Sequence, residues 1–259
     1  MSTNQSIEII QFPCLNDNYA FLIHDPVSLQ TAVVDTPDAD EIIRQLELRG
    51  WQLSHILTTH HHWDHIDGHE ALKQRYNNQV VAPEVNKTQV PQPDICVSEG
   101  SQIQFGHYKI QVIETPGHTL GHVSYWLPEA NAVFVGDTLF SLGCGRLFEG
   151  TAQQMWQSIL KIRSLPDNTM IYCAHEYTTA NAIFAQLYDP DNEALQKRAE
   201  EVYKLRADNL ATIPTTVKQE RLTNPFMRAD QIELQRALDA YGKPAEDVFA
   251  ELRKRKDNA

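Results

Sequence analysis

The run Thr59-His60-His61-His62-Trp63-Asp64-His65 places four histidines and an aspartate within seven residues. It follows directly on His55-Ile56-Leu57-Thr58, a short apolar stretch that reads as a buried strand. The chain therefore needs a rigid sheet that presents this loop at a strand end, a frequent design for active sites. Imidazole and carboxylate together suit zinc, iron or manganese. A cluster this dense can serve two ions, and two ions about 3.5–4 Å apart can hold a bridging hydroxide for hydrolysis. A histidine-rich surface loop is the plainer reading, and residues farther along the chain argue against it.

His60 and His62 alternate, so an extended backbone aims both to one side. Asp64 and His65 follow where the chain can turn into a helix, and His61 then points to solvent or to a supporting position. Three isolated positions extend the set. His118 lies in the turn Thr115-Pro116-Gly117-His118-Thr119, Asp137 follows the strand-like run Ala132–Val135, and His175 ends the run Ile171–Ala174. Each stands at an apolar-to-polar transition. Trp63 is expected to pack beneath the loop, and His24, His55, His69, His107 and His122 read as structural or solvent-facing.

The remaining composition narrows the function. The net charge of −12 disfavours nucleic acid and anionic membrane as partners. No apolar run approaches the roughly 20 residues of a membrane span. Met1–Gln5 lacks a cationic flank and a hydrophobic signal core, so a cytoplasmic protein is expected. Cys14, Cys96, Cys144 and Cys173 are widely spaced and fit free thiols in a reducing compartment. Cys173 reads as a small buried hydrophobe; Cys144, between two glycines, is a minor candidate nucleophile.

Ten of the 11 glycines fall at or before Gly150, so turn-rich β structure gives way to helix. Strands are expected over Ile7–Phe12, Tyr19–His24, Thr31–Val34, His55–Thr58, Val80–Ala82, Ile103–Phe105, Tyr108–Glu114, His122–Leu127 and Ala132–Val135. Helices are expected at Ala39–Arg49, His69–Tyr76 and Gln153–Ser164. From Glu176 the pattern turns helical. Asp189-Pro190 can cap and begin a helix that continues over Glu193–Leu210, and two more follow at Gln231–Ala240 and Ala245–Arg255. The expected class is α+β, with domains at 1–175 and 176–259.

His60-x-His62-x-Asp64-His65 with His118, Asp137 and His175 resembles the metallo-β-lactamase superfamily, and within it the glyoxalase II (hydroxyacylglutathione hydrolase) family. Thr115–His122, Gly136–Phe140, Gly143–Thr151, Ala174–Thr178, Asn224–Arg228 and Arg253–Asp257 resemble further blocks of that family. The resemblance implies a four-layer αββα sandwich followed by a helical domain that binds glutathione substrate. It implies one divalent ion on His60, His62 and His118, a second on Asp64, His65 and His175, and Asp137 bridging them. Zinc is the first expectation, with iron and manganese as the others. Arg146, Phe148, Tyr177, Arg253 and Lys256 match substrate-binding positions. Phe148 stands where many members carry tyrosine and lacks its hydroxyl, and Arg146 stands where many carry lysine.

The implied activity is hydrolysis of S-(2-hydroxyacyl)glutathione, typified by S-D-lactoylglutathione, to glutathione and D-lactate. This is the second step of methylglyoxal detoxification, with a dimetal-bound hydroxide as nucleophile. Asp137 would bridge, and Asp64 would be a ligand with a share in proton transfer. A monomer is expected. An iron-dependent glutathione persulfide dioxygenase on the same fold, and a non-catalytic metal-binding module, stand as the alternatives.

Overall fold

Short β-branched runs closed by Asp, Asn, Gly and Pro become strands, and the three periodic segments expected at Ala39–Arg49, His69–Tyr76 and Gln153–Ser164 become helices. A computed structural model describes residues 6–259. Met1–Gln5, read above for the lack of an export signal, lie outside the described residues. Among the described residues, no helix is long and apolar enough to cross a membrane.

The chain forms two compact units, one running to Glu114 and including Gly121–Gly136, the other made of Thr115–Leu120 and Asp137–Ala259. The first contains a sheet in the order β1 (Glu8–Cys14), β2 (Asn18–Asp25), β3 (Gln30–Val34), β4 (Leu53–Leu57), β5 (Gln79–Pro83), β6 (Ile95–Val97). The first three strands are antiparallel and the last three are joined in parallel. The parallel part needs crossovers, supplied by α1 (Ala39–Arg49) and by α2 (Trp63–Ile66) with α3 (His69–Tyr76). A second, antiparallel layer comprises β7 (Gln102–Phe105), β8 (Tyr108–Glu114), β9 (Val123–Leu127) and β10 (Ala132–Gly136).

The two layers meet through side chains of both. Phe21 on β2 packs on Phe134 on β10 with ring centroids 5.4 Å apart, and the Tyr125 hydroxyl donates to the Thr58 carbonyl at 2.7 Å. The other face of the first sheet is covered by Ile42 and Leu46 of α1 and Leu72 of α3, fully buried against Leu22, Val33, Ile56 and Val80. Burying each such side chain stabilises the fold by about 1.5–3 kcal/mol. Asp38 caps α1 by accepting from Asp40 N and Glu41 N, and Gly50, at φ 66°, closes it in the left-handed region.

In the second unit the hairpin β11 (Leu139–Phe140) and β12 (Gly143–Cys144) leads to α4 (Ala152–Arg163), whose Thr151 and Gln154 form a capping box. The pair β13 (Met170–Cys173) and β14 (Thr215–Thr216) is antiparallel. The helices are α5 (Thr178–Tyr188), α6 (Glu193–Ala207), α7 (Val217–Thr223), α8 (Ile232–Ala237) and α9 (Ala245–Asp257). Leu142, Ala182, Ala185, Leu195, Ala199 and Val202 form the core between the hairpin, α5 and α6.

One expected cap is corrected. Asp189 does not begin a helix; it ends α5, buried and 3.3 Å from Arg228. Asn192 caps α6 instead, its Oδ1 accepting from Leu195 N, and the helix stops at Ala207 rather than Leu210. A buried ion pair outweighs the local Asp-Pro signal.

His69 yields a pH-dependent prediction. Its ring bridges Thr36 Oγ1 at 2.6 Å and Thr58 Oγ1 at 2.8 Å. Burial, and secondarily the Lys73 charge, pull its pKa from 6.5 down to about 3. Below 6.5 the unfolded chain takes up a proton that the folded chain refuses until about pH 3. This residue therefore makes stability fall as pH drops through that window, by up to about 1.4 kcal/mol per pH unit. Urea midpoints from about pH 4 to about pH 7.5 should decline more steeply in the wild type than in His69→Gln. Parallel declines would contradict this.

Candidate metal centre and substrate pocket

The first unit orients four of the expected ligands. The Asp35 carboxylate, buried at the end of β3, accepts from Thr59 N and Thr59 Oγ1 at 2.8 Å each. The same carboxylate accepts from His65 Nδ1 at 2.8 Å, so His65 keeps its Nε2 lone pair. Thr59 Oγ1 spends its own hydrogen on Asp35, so it accepts from His60 Nδ1 at 3.0 Å. His60 Nε2 then faces His62 Nδ1 at 3.1 Å. Ligand atoms of His60 and His62, of His60 and His65, and of Asp64 and His65 each lie within 4.8 Å. Asn18 Nδ2 holds Asp64 Oδ2 at 3.1 Å.

The supporting groups are tightly placed. Asp35 itself has φ 55°, a left-handed conformation that costs about 1–3 kcal/mol in a non-glycine residue. Gly136 has φ 47°, and a Cβ there would stand 2.6 Å from Thr59 Oγ1 and 2.7 Å from His122 Nε2. His122 stacks on His60 with centroids 4.9 Å apart, a packing role as expected. His61 is half-buried beside His62. Trp63 does not pack beneath the loop: its place on the short helix α2 leaves it 66% exposed.

The second unit orients the other three. The Arg146 carbonyl can only accept, so His118 donates from Nδ1 at 2.8 Å and presents Nε2. That Nε2 lies 3.3 Å from Asp137 Oδ2, while His175 Nε2 lies 3.3 Å from Asp137 Oδ1. One carboxylate thus offers one oxygen toward each of two imidazoles. Gly145 makes room for this, since a Cβ there would lie 1.9 Å from the Asp137 carbonyl oxygen. Imidazole nitrogens with the far ring nitrogen anchored, and carboxylates beside them, are a donor set that fits divalent metal ions.

His118 and Asp137 open onto a cavity of about 480 Å³ in the second unit, which Arg146, Phe148, Tyr177, Arg253 and Lys256 also line. Tyr177 stacks face to face on His175, centroids 4.8 Å and planes 2° apart, and Phe140 meets both rings edge-on. Phe148 is largely exposed, its ring edge-on to His118 at 5.2 Å. Arg253 is buried and donates from Nη1 to the Cys144 carbonyl at 2.8 Å. Burial pushes the Cys144 thiol up to about 11 although Arg253 opposes it, so it is no ready nucleophile.

Sequence reasoning missed several supporting residues. Asp35 follows an apolar strand, the same transition that marked Asp137, and that signal could have found it. Glu220 carries no such mark. It is fully buried in α7, where burial raises its pKa, and it accepts from Leu142 N, Ser141 Oγ, Thr215 Oγ1 and Asn224 Nδ2. Asn224 also donates to the Phe140 and Gly143 carbonyls, so the two residues clamp the hairpin that carries Phe140 and Cys144.

Comparison with known proteins agrees along the length of the chain. Residues 19–175 match the family model described as metallo-beta-lactamase superfamily, and residues 176–259 the one described as hydroxyacylglutathione hydrolase C-terminus. A hydroxyacylglutathione hydrolase of Brucella ovis is 51% identical over 253 residues, covering 98% of this chain and 98% of its own. The crystal structure of ETHE1 from Myxococcus xanthus superposes with a TM-score of 0.69 at 25% identity, over 96% of this chain and 90% of that one. BLEG-1 B3 metallo-beta-lactamase gives a TM-score of 0.67 at 22% identity, over 85% and 99%. The expected metallo-β-lactamase fold with a helical C-terminal region is borne out. With both family models and near-full-length identity in accord, the chain belongs to the hydroxyacylglutathione hydrolase family of the metallo-beta-lactamase superfamily.

Proposed function

We propose that this enzyme hydrolyses S-D-lactoylglutathione and related S-(2-hydroxyacyl)glutathiones to glutathione and the 2-hydroxy acid, the second step of methylglyoxal detoxification. The observation that carries the reading is the second unit's cavity. At one end Asp137 stands between two imidazoles, and Arg146, Arg253 and Lys256 line the same space in an otherwise acidic chain. A thioester whose peptide end bears carboxylates fits that polarity.

On the family ligand pattern, His60, His62 and His118 would hold one divalent ion, Asp64, His65 and His175 a second, and Asp137 would be shared. Zinc is proposed for both, since its affinity for mixed nitrogen and oxygen donors is high; iron and manganese are the competitors. Such ions supply Lewis acidity and lower the pKa of water from about 15.7 toward about 7. The residues do the rest. Asp64, its Oδ2 held by Asn18, would share in accepting the proton released when water adds to the thioester carbonyl, and that proton leaves with the glutathione thiolate as the C–S bond breaks. Tyr177 and Phe140 fix the His175 ring. Arg146, Arg253 and Lys256 orient the carboxylates through charge-assisted contacts. Residues 1–175 would carry the chemistry and 176–259 most of the glutathione recognition. A cytoplasmic monomer without nucleic-acid or membrane partners completes the reading, consistent with the net charge of −12.

Arg146→Ala tests the polarity argument. Arg146 is exposed on the cavity wall, and Asp257, at 3.9 Å, is the acid beside it, so the loss falls on binding. The Michaelis constant for S-D-lactoylglutathione should rise about 5- to 20-fold while turnover stays within about twofold. An unchanged constant with lowered turnover would contradict it.

A further inference from the structure

We propose that Asp257 limits how tightly the cavity holds an anionic substrate by competing for the guanidinium groups of Arg146 and Arg253. The proposal rests on the glutathione-thioester reading of the cavity and adds a specificity-determining residue to it.

Three cations line one cavity wall: Arg146, Arg253 and Lys256. They crowd one another. Burial, then the charges of Arg253 and Arg146, depress the pKa of Lys256. One oxygen, Asp257 Oδ1, sits among them. It accepts from Arg253 Nη2 at 2.9 Å and from Arg253 Nε at 3.1 Å, and lies 3.9 Å from Arg146 Nε. A substrate carboxylate arriving at this wall meets two guanidinium groups already facing an anion of the chain's own.

Removing Asp257 has two opposed effects. It could unseat the guanidinium groups, which would weaken binding, or unmask their charge, which would strengthen it. The contacts decide. Arg253 is 5% exposed, gives Nη1 to the Cys144 carbonyl at 2.8 Å and lies over the Phe226 ring at 5.4 Å, so it keeps its place without Asp257. Lys256 is held separately, donating to the Ala180 carbonyl at 3.0 Å. Arg146 is 66% exposed and sits at the long end of ion-pair distance, so Asp257 does little to fix it. Unmasking therefore wins. At 40% exposure of Asp257 the Coulomb term is screened, and the expected gain in anion affinity is about two- to fivefold.

The test compares the metal-loaded wild type with Asp257→Asn and Asp257→Glu by calorimetric titration of two probes, glutathione and glutathione diethyl ester. For Asp257→Asn the glutathione dissociation constant should fall about two- to fivefold and its salt dependence should steepen. The diester, without carboxylates, should bind alike to both proteins, and Asp257→Glu should restore the wild-type values. An unchanged or raised glutathione constant, an equal gain for the diester, or no glutathione binding to any variant would overturn the proposal. Thioester hydrolysis by the wild type is scored separately. Its absence alongside the predicted binding pattern would reject the thioesterase reading and leave the role of Asp257 standing.

Discussion

Asp137→Ala is expected to lose metal and activity together. The Asp137 carboxylate is buried and presents one oxygen at 3.3 Å to His118 Nε2 and the other at 3.3 Å to His175 Nε2. Alanine leaves two imidazoles with no anion between them, and two cations held nearby would then repel unscreened. Elemental analysis after gel filtration should show metal content falling from about two ions per chain to below one, with kcat/KM lower by at least about 10³-fold. Asp137→Asn keeps one carbonyl oxygen and removes the charge, so it should fall between the two. Full metal content with wild-type hydrolysis in Asp137→Ala would reject the shared-ligand role.

Asp35→Ala is expected to damage both stability and metal affinity, although Asp35 is proposed to touch neither metal nor substrate. Three donors converge on its carboxylate: Thr59 N, Thr59 Oγ1 and His65 Nδ1. Leaving them buried without an acceptor costs about 1–3 kcal/mol each, not fully additively, so a total of about 3–6 kcal/mol is expected. That is a large share of a typical domain's stability, about 5–15 kcal/mol. Freed from Asp35, the His65 ring loses its tautomer and orientation, and metal affinity should drop about 10- to 100-fold. Denaturant melts and chelator competition measure the two effects separately. An unaltered chelator midpoint in a folded Asp35→Ala would show that this carboxylate does not position the ring.

The parts of the site legible in the sequence were those encoded locally. Thr59–His65 announces itself by density, and β4 before it by its apolar run. The boundaries of α1 and α3 follow from period and flanking residues: Gly50 ends one, and Asn77, at φ 51°, ends the other. His118, Asp137 and His175 stand at strand ends or turns where a polar residue breaks an apolar pattern. What escaped was set by partners distant in the chain. Asp35 meets Thr59 and His65 from 24 and 30 residues away. Glu220 meets Leu142 from 78 residues away. Asp189 reads as a cap because its ion-pair partner Arg228 lies far along the chain. Helix α5 has no sequence boundary signal, because Thr178–Tyr188 carries no charged residue and begins at Tyr177 without a side-chain cap. Arg253 reads as a solvated end by charge alone, and only the packing of α9 shows it buried over Phe226.

The function proposed for the site rests on metal-dependent thioesterase activity toward acylated glutathione. Its most direct test is free-thiol release from S-D-lactoylglutathione by purified, metal-loaded protein, beside a chelated sample and the same sample after metal is restored. Rapid release is expected, abolished by chelation and recovered when metal is restored. Absence of release from fully loaded protein, or release that survives complete chelation, would contradict the proposed function.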